Sequence, residues 1–457
     1  MKINELRLQN FRKFTDARFR FNTQSNVTVL IGDNATGKSA ILNALSIMMG
    51  SYLLDFKVPR AVRHIRKDEI HLKQVKHDDL VTLEPQWTEG IALSCTGSLS
   101  ELYPDSDTDY NSITWSRELT AATSKTTRIN AKQIAQVGKS ARAAVESGAE
   151  VLLPILTYYG TGRLWNAKTQ TGAADSRTVG YHDCLEPSSN HKLFLQWFSR
   201  LEMAALQKRK TFGVLEAVRS AVRLCIPHCQ TLFFDIEQQQ LMIEFEDDSL
   251  FSFDNLSDGY RNMLAIVADI AHRAARLNPH LGIDAAIKTP GIVLIDEIDL
   301  HLHPKWQRTA VNSLREAFPK IQFIVSTHSP FIIQSLKSGE IIDLNTNGEV
   351  SDEQTHLAEP SPIKQYSDRS IEDVVEDVMG LEMPSRSARL EQMYQVAEKY
   401  YDLLDDTSNA TDEEKDQLKS QLDKLSAPFS ENVAYHAFLE RQRLKAGVVS
   451  CEESEES

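Results

Sequence analysis

The chain has 457 residues, 50 Lys and Arg against 64 Asp and Glu, a net charge of −14 and a hydrophobic share of 41%. That length exceeds one ordinary core and predicts two or three folding units; the hydrophobic share excludes a wholly disordered chain, and the acidic balance excludes a uniformly basic nucleic-acid coat. No apolar run reaches the roughly 20 residues of a membrane helix, no apolar leader opens the sequence, and five Cys are too few for a disulfide framework. A soluble protein of a reducing, cytoplasmic compartment is expected.

In chain order, the sequence opens as a strand over 3–8, a polar break at 10–13 and a strand over 17–21. A more apolar strand over 27–31 runs into a glycine-containing loop and then a helix over 39–49. Residues 57–77 bring Lys57, Arg60, Arg63, Arg66, Lys67, Lys73 and Lys76 against Asp68 and Glu69, a net of +5. Such a stretch reads either as a phosphate-holding patch or as a solvated basic face. Short alternating segments at 80–83, 91–95 and 113–115, within 80–130, predict an antiparallel meander. A helix is expected over 131–148 and a buried strand over 151–157.

Apolar spacing predicts helices over 191–224, a short arm inserted at 187–227 with too few heptads for a long coiled coil. Strands at 231–235 and 241–245, a helix at 259–277, a strand at 291–295, a helix at 304–318 and a strand at 322–326 follow. Parallel-type strands alternating with helices predict an α/β head over 1–345. A helical segment over 346–400 precedes an acidic tail, 401–457, with 14 acidic and 6 basic residues and a solvated, disordered end.

The clearest motif is Gly32-Asp33-Asn34-Ala35-Thr36-Gly37-Lys38-Ser39, followed by Ala40. It matches the phosphate-loop pattern, with a strand before it and a helix after it. Its glycines let several N–H groups face one concavity, and the helix N-terminus adds partial positive charge. Lys38 is expected on the β- and γ-phosphates and Ser39 on Mg²⁺. The strand at 291–295 ends in Asp296 and Glu297: Asp296 can hold Mg²⁺ through its water shell, and Glu297 can polarise the attacking water. His328 directly follows another core strand and is expected to contact the γ-phosphate. His301-Leu-His303 invites a metal, but no third ligand is evident nearby. The other metal-like grouping is His182, Cys184, Cys225, His228 and Cys229, which reads equally well as buried thiols in a core.

Asn255-Leu256-Ser257-Asp258-Gly259-Tyr260 opens a long helix and offers a second anion site through Ser257 and the Gly259 N–H, though Ser257 or Asp258 would also serve as a plain helix cap. The order of phosphate loop, this hexapeptide, acidic strand and histidine resembles an ABC-type ATPase head of the SMC/RecF-like group over about residues 1–345. The resemblance implies a P-loop mixed sheet with flanking helices and an antiparallel β-subdomain. It also implies ATP and Mg²⁺ as cofactors, and a head-to-head homodimer in which Ser257, Asp258 and Gly259 face the other subunit's nucleotide. It implies a D-loop at 299–301, led by Asp299, and an H-loop histidine at His328. The opening Leu8-Gln-Asn-Phe11-Arg12-Lys13-Phe14 resembles the family's first hairpin, which implies Arg12 as a nucleotide contact.

Tyr158-Tyr159-Gly160-Thr161-Gly162-Arg163, the run from Asp296 to Gln307 and the short arm resemble the ATPase subunits (PtuA) of Septu-type bacterial anti-phage systems. That likeness implies a separate HNH nuclease partner, a larger homo-oligomer, and contact with nucleic acid through the complex. Asp258 and Tyr260 depart from the usual signature, and the loop at 158–163 holds no glutamine, so slow, regulatory hydrolysis is expected. Residues 345–457 carry no Toprim pattern. Three functions stay open: a defence ATPase gating a nuclease, a repair ATPase clamping DNA itself, and an assembly platform without enzymatic output.

Overall fold

The computed structural model describes residues 1–380 apart from 78–79, 104–109, 122–124, 163–175, 188–190, 346–355 and 361–365, with isolated positions beyond. The chain divides into two compact units, Met1–Val374 and Val375–Ser457. The acidic tail, Cys451 and most of 381–457 lie outside the described residues, as does Arg163. No helix among the described residues is long and apolar enough to cross a membrane.

The first unit opens with β1 (Lys2–Phe11), β2 (Phe14–Arg20) and β3 (Val27–Ile31). Helix α1 (Lys38–Met49) follows, then the ribbon β4 (Leu72–His77) and β5 (Leu80–Pro85). Next come β6 (Ile91–Ser98), β7 (Ile113–Leu119), α2 (Lys132–Glu146) and β8 (Ile155–Tyr159). Helices α3 (His191–Lys208) and α4 (Gly213–Cys225) lead to β9 (Cys229–Asp235), β10 (Gln240–Phe245) and β11 (Leu250–Ser252). The remainder is α5 (Asp258–Leu277), α6 (Ala285–Lys288), β12 (Gly291–Ile295), α7 (Pro304–Ala317), β13 (Ile321–Ser326), α8 (Pro330–Gln334), β14 (Ile341–Asp343) and β15 (His356–Ala358).

The central sheet has the order β14-β3-β13-β12-β8, with every neighbouring pair parallel. Strands β3, β8, β12 and β13 are buried along their whole length, as their largely apolar sequences allow. Because the strands run the same way, their C-terminal ends share one edge, and the phosphate loop, Asp296 and His328 all follow strands at that edge. Strand β8 starts at Ile155, four residues later than the sequence suggested, because Pro154 has no N–H to give a ladder.

The second sheet has the order β15-β2-β1-β6-β7. The segments expected to form one meander are divided: β5 pairs back with β4, while β6 joins β1 and buries Ile91, Leu93 and Cys95. The two five-stranded sheets are clamped by one amide. Buried Gln322 on β13 accepts from Ile3 N at 2.7 Å and donates to Ile3 O at 2.9 Å, satisfying both backbone groups beside the register shift in β1. Helices α3 and α4 do not extend away as an arm. Leu215, Val218, Ala221 and Val222 put an apolar face of α4 into the core, against α5 and α7.

Helix α5 is tied to β8 by a buried polar group. Tyr159 Oη donates to Asp269 Oδ2 at 2.7 Å, Arg273 Nε does the same at 2.7 Å, and Arg273 Nη1 reaches the Gly180 carbonyl at 2.7 Å. Burial pushes the Asp269 carboxyl up, but Arg273 and His272 more than offset it and hold it below its ordinary 3.8. Burial also holds His272 below its ordinary 6.5. Both shifts make the unfolded chain bind more protons in acid, so the contribution of these two groups is full above pH 6.5 and falls as pH drops, first through His272 and then, below 3.8, through Asp269. Melting temperature is therefore expected to decline from pH 6.5 downward. Asp269→Asn is expected to cost about 3 kcal/mol at neutral pH by stranding Arg273, and to shallow the steepest part of the acid limb. An unchanged limb in the variant would contradict this.

Candidate functional site

The loop after β3 turns on two glycines in the left-handed region, Gly32 at φ 143° and Gly37 at φ 103°. Gly37 caps α1, and a Cβ there would stand 2.5 Å from the Phe14 ring, so the loop can pass under the β1–β2 turn only without a side chain. No acidic residue occupies the first turn of α1, which leaves its N-terminus free to favour an anion. Lys38 is 7% exposed, and its ammonium donates to the carbonyls of Gly32 (2.5 Å) and Asp33 (2.8 Å). Burial lowers its pKa, while Asp296, Asp33, Glu297 and Asp299 pull it back up.

A cleft of about 280 Å³ joins this loop to the acidic strand end. Asn34, Ala35, Gly37, Lys38, Ser39 and Ala40 form its floor. Arg12 and Lys13 of the β1–β2 turn line it too, together with Asp296, Glu297 and His328. Asp33 and Thr36 shape the loop instead of lining the cleft: Thr36 Oγ1 donates to Asp33 O at 2.9 Å, and Asp33 N to Asn345 Oδ1 at 2.9 Å.

Asp296 and Glu297 are held by the neighbouring strands. Asp296 N donates to Tyr159 O at 2.8 Å, and Ser326 Oγ donates to Asp296 Oδ1 at 2.5 Å. Glu297 N donates to that same hydroxyl at 2.8 Å, and Glu297 itself adopts φ 48°. A non-glycine residue in that region carries strain of about 1–3 kcal/mol, often found at functional positions. Thr327 Oγ1 donates to Asp299 Oδ1 at 2.6 Å, fixing the 299–301 turn to the strand that delivers His328.

The signature residues are not in this cleft. Ser257 is the N-cap of α5, exposed, and makes no side-chain capping bond. Asp258 pairs with Arg261 one turn on. Gly259 meets the 299–301 turn: a Cβ there would lie 2.5 Å from the His301 carbonyl, and Asn262 Nδ2 donates to Leu300 O at 2.8 Å. Ser257 opens instead on a larger cavity of about 630 Å³, with Phe245, Glu246, Phe251 and Tyr260 among its walls.

The metal-like groupings do not assemble. Among the described residues no set of three or more His, Cys, Asp or Glu is placed to hold an ion. His303 Nδ1 accepts from Lys305 N and caps α7. Burial pushes the Cys184 thiol up to about 12 and Cys229 up to about 11; Cys184 faces the Ala61 carbonyl and Cys225 that of Ser313.

A family described as "AAA domain" matches residues 5–217, and another described as "AAA domain, putative AbiEii toxin, Type IV TA system" matches 171–334. A Vibrio cholerae serotype O1 biovar El Tor protein named "Retron Vc95 probable ATPase" is 25% identical over 399 residues, covering 76% of this chain and 74% of that one. "Septu protein PtuA" of Bacillus mycoides strain KBAB4 is 32% identical over 203 residues, 43% of this chain and 26% of that protein. The chain is an ATPase, similar to a retron ATPase over most of its length and to Septu PtuA over part of it. Among solved structures, this ATPase is similar to an SmcHead bound to the C-winged helix domain of ScpA, at 17% identity and a TM-score of 0.46 over 75% of this chain and 93% of that one.

One residue of the cleft and one directly behind it went unassigned in the sequence. Lys13, whose Nζ donates to Ala35 O at 3.0 Å, was visible only as a neighbour of Arg12. Ser326 touches both acidic residues, and its one signal was a small polar side chain closing an apolar strand.

Proposed function

We propose that this ATPase binds ATP in the Lys38 cleft and pairs head to head with a second copy. Ser257 and Gly259 of each copy would then close over the nucleotide held by the other. The observation that carries this reading is the separation of two anion-ready sites in one chain: the cleft has phosphate donors but no signature residue, and the Ser257 hydroxyl is not spent on capping its helix. Gly259 and Asn262 couple the signature to the 299–301 turn, so closure on one face is felt beside Asp296 and Glu297.

Lys38 and Arg12 bind the phosphates, with the backbone N–H groups of 33–40 as the cradle. Ser39 and Asp296 offer hard oxygen donors to one cleft, a set that suits Mg²⁺. When bound, that ion neutralises charge on the phosphate oxygens. Glu297 orients and polarises water, and His328 donates to the γ-phosphate. Slow turnover is supported by Tyr158, Tyr159 and Gly160, which stand where a water-positioning glutamine is expected.

The likeness to Septu PtuA supports an anti-phage role in which the ATP-closed pair scaffolds and gates a separate HNH-type nuclease, within a larger homo-oligomer and with nucleic acid reached through the complex. The alternative, a repair ATPase clamping DNA itself, drew on the basic stretch 57–77. There Arg63 is 8% exposed and turned inward onto Glu69, which weakens the case for a phosphate track.

Ser257→Arg tests the pairing. ATP affinity of the single chain should change little, while ATP-dependent dimerisation, read by light scattering, should be lost. A variant that still dimerises with ATP would overturn the trans role of the signature.

A further inference from the structure

The β1–β2 turn carries Arg12 in the left-handed region, at φ 52°, with no glycine to ease it. Three contacts from the segment 69–71 hold it there. Arg12 N donates to Glu69 O at 2.7 Å, the Arg12 carbonyl meets His71 Nδ1 at 2.8 Å, and Arg12 Nη2 donates to Glu69 Oε1 at 2.8 Å. The Glu69 carboxylate is 2% exposed and anchored from behind. Its Oε1 also accepts from Arg63 Nη2 at 2.9 Å, and its Oε2 accepts from Arg66 N at 3.0 Å, closing the turn Lys67–Glu69. Arg63 in turn bonds Asn43 Oδ1 and, at 3.1 Å, Ser46 Oγ, both on the helix that starts at the phosphate loop. A buried carboxylate thus ties α1 to Arg12, whose guanidinium lines the cleft.

We propose that Glu69 is a positioning residue for nucleotide binding. It fixes the Arg12 guanidinium at the wall of the cleft through a relay from Asn43 and Ser46 of α1 by way of Arg63. A flexible arginine loses rotamer entropy when it grips a phosphate; one already held in place by a buried partner does not. The proposal rests on Arg12 being a nucleotide contact.

Electrostatics gives the test its sign. If Glu69 acted only through its charge, Glu69→Gln would remove an anion near the phosphates and tighten ATP binding. Positioning predicts the opposite, a loss of about tenfold in ATP affinity. Glu69→Asp keeps the charge but withdraws the carboxylate by one methylene, and should lose affinity in the same direction; it also serves if the Gln variant does not fold. Titration of the full chain with a fluorescent ATP analogue and Mg²⁺, alone and in an Arg12→Ala background, reads the coupling. Both Glu69 variants should weaken binding, and neither should weaken Arg12→Ala further. Unchanged or tighter binding in both Glu69 variants, or a loss that adds fully to that of Arg12→Ala, would overturn the positioning role. Arg12→Ala with wild-type affinity would instead remove Arg12 from the site.

Discussion

Replacing Lys38 with alanine is expected to lower ATP affinity by roughly a hundredfold or more, corresponding to about 3 kcal/mol for a desolvated charge contact. The side chain is nearly buried and already pays for its desolvation, as its lowered pKa records. Its neighbours Asp296, Asp33, Glu297 and Asp299 are all acidic, so without Lys38 a triphosphate would enter a cleft whose remaining lysine and arginine among the described residues are Lys13 and Arg12 of the β1–β2 turn. Helix α1 and the loop should stay folded, because Lys38 satisfies only two loop carbonyls that water can reach once the side chain is gone. Calorimetric titration with MgATP decides it. Wild-type affinity in the variant would remove the phosphate-loop assignment.

Glu297→Gln should separate binding from hydrolysis. The position is set by backbone contacts that glutamine keeps: the Glu297 N–H on Ser326 Oγ, and the Leu300 N–H on the Glu297 carbonyl at 3.0 Å. What glutamine lacks is the carboxylate that polarises water, a loss of about a hundredfold or more in turnover. ATP should bind as before or more tightly, since a negative charge has left the phosphate site, and the ATP-bound dimer should accumulate. Phosphate release at the wild-type rate would show that another group prepares the water.

The parts of the site that a short segment determines could be read directly from the sequence. The strand, glycine loop and helix around Lys38 are contiguous, and β12 begins and ends where its apolar run does. The edge that gathers Asp296, Glu297 and His328 depends on strand order, which no local pattern carries. The Gln322 clamp joins residues 319 positions apart, and a lone glutamine in an apolar strand gives no hint of its partner. Charge counting over 57–77 treated all seven cations alike, whereas Arg63 points inward and completes the support of Arg12. The expected arm failed for a related reason: the apolar positions of α4 mark a buried face, but only tertiary contacts tell whether that face meets a partner helix or the core.

The most direct test of nucleotide sharing between two copies brings Lys38→Ala and Ser257→Arg together. Each variant alone should be nearly inactive, one lacking its phosphate grip and the other its closing face. In an equal mixture only the mixed pair can close, and it has one intact composite site of two, so ATP hydrolysis should return to a readily measured fraction of the wild-type value, at most about half. A mixture as inactive as its components, with mixed dimers demonstrably present, would contradict the shared site.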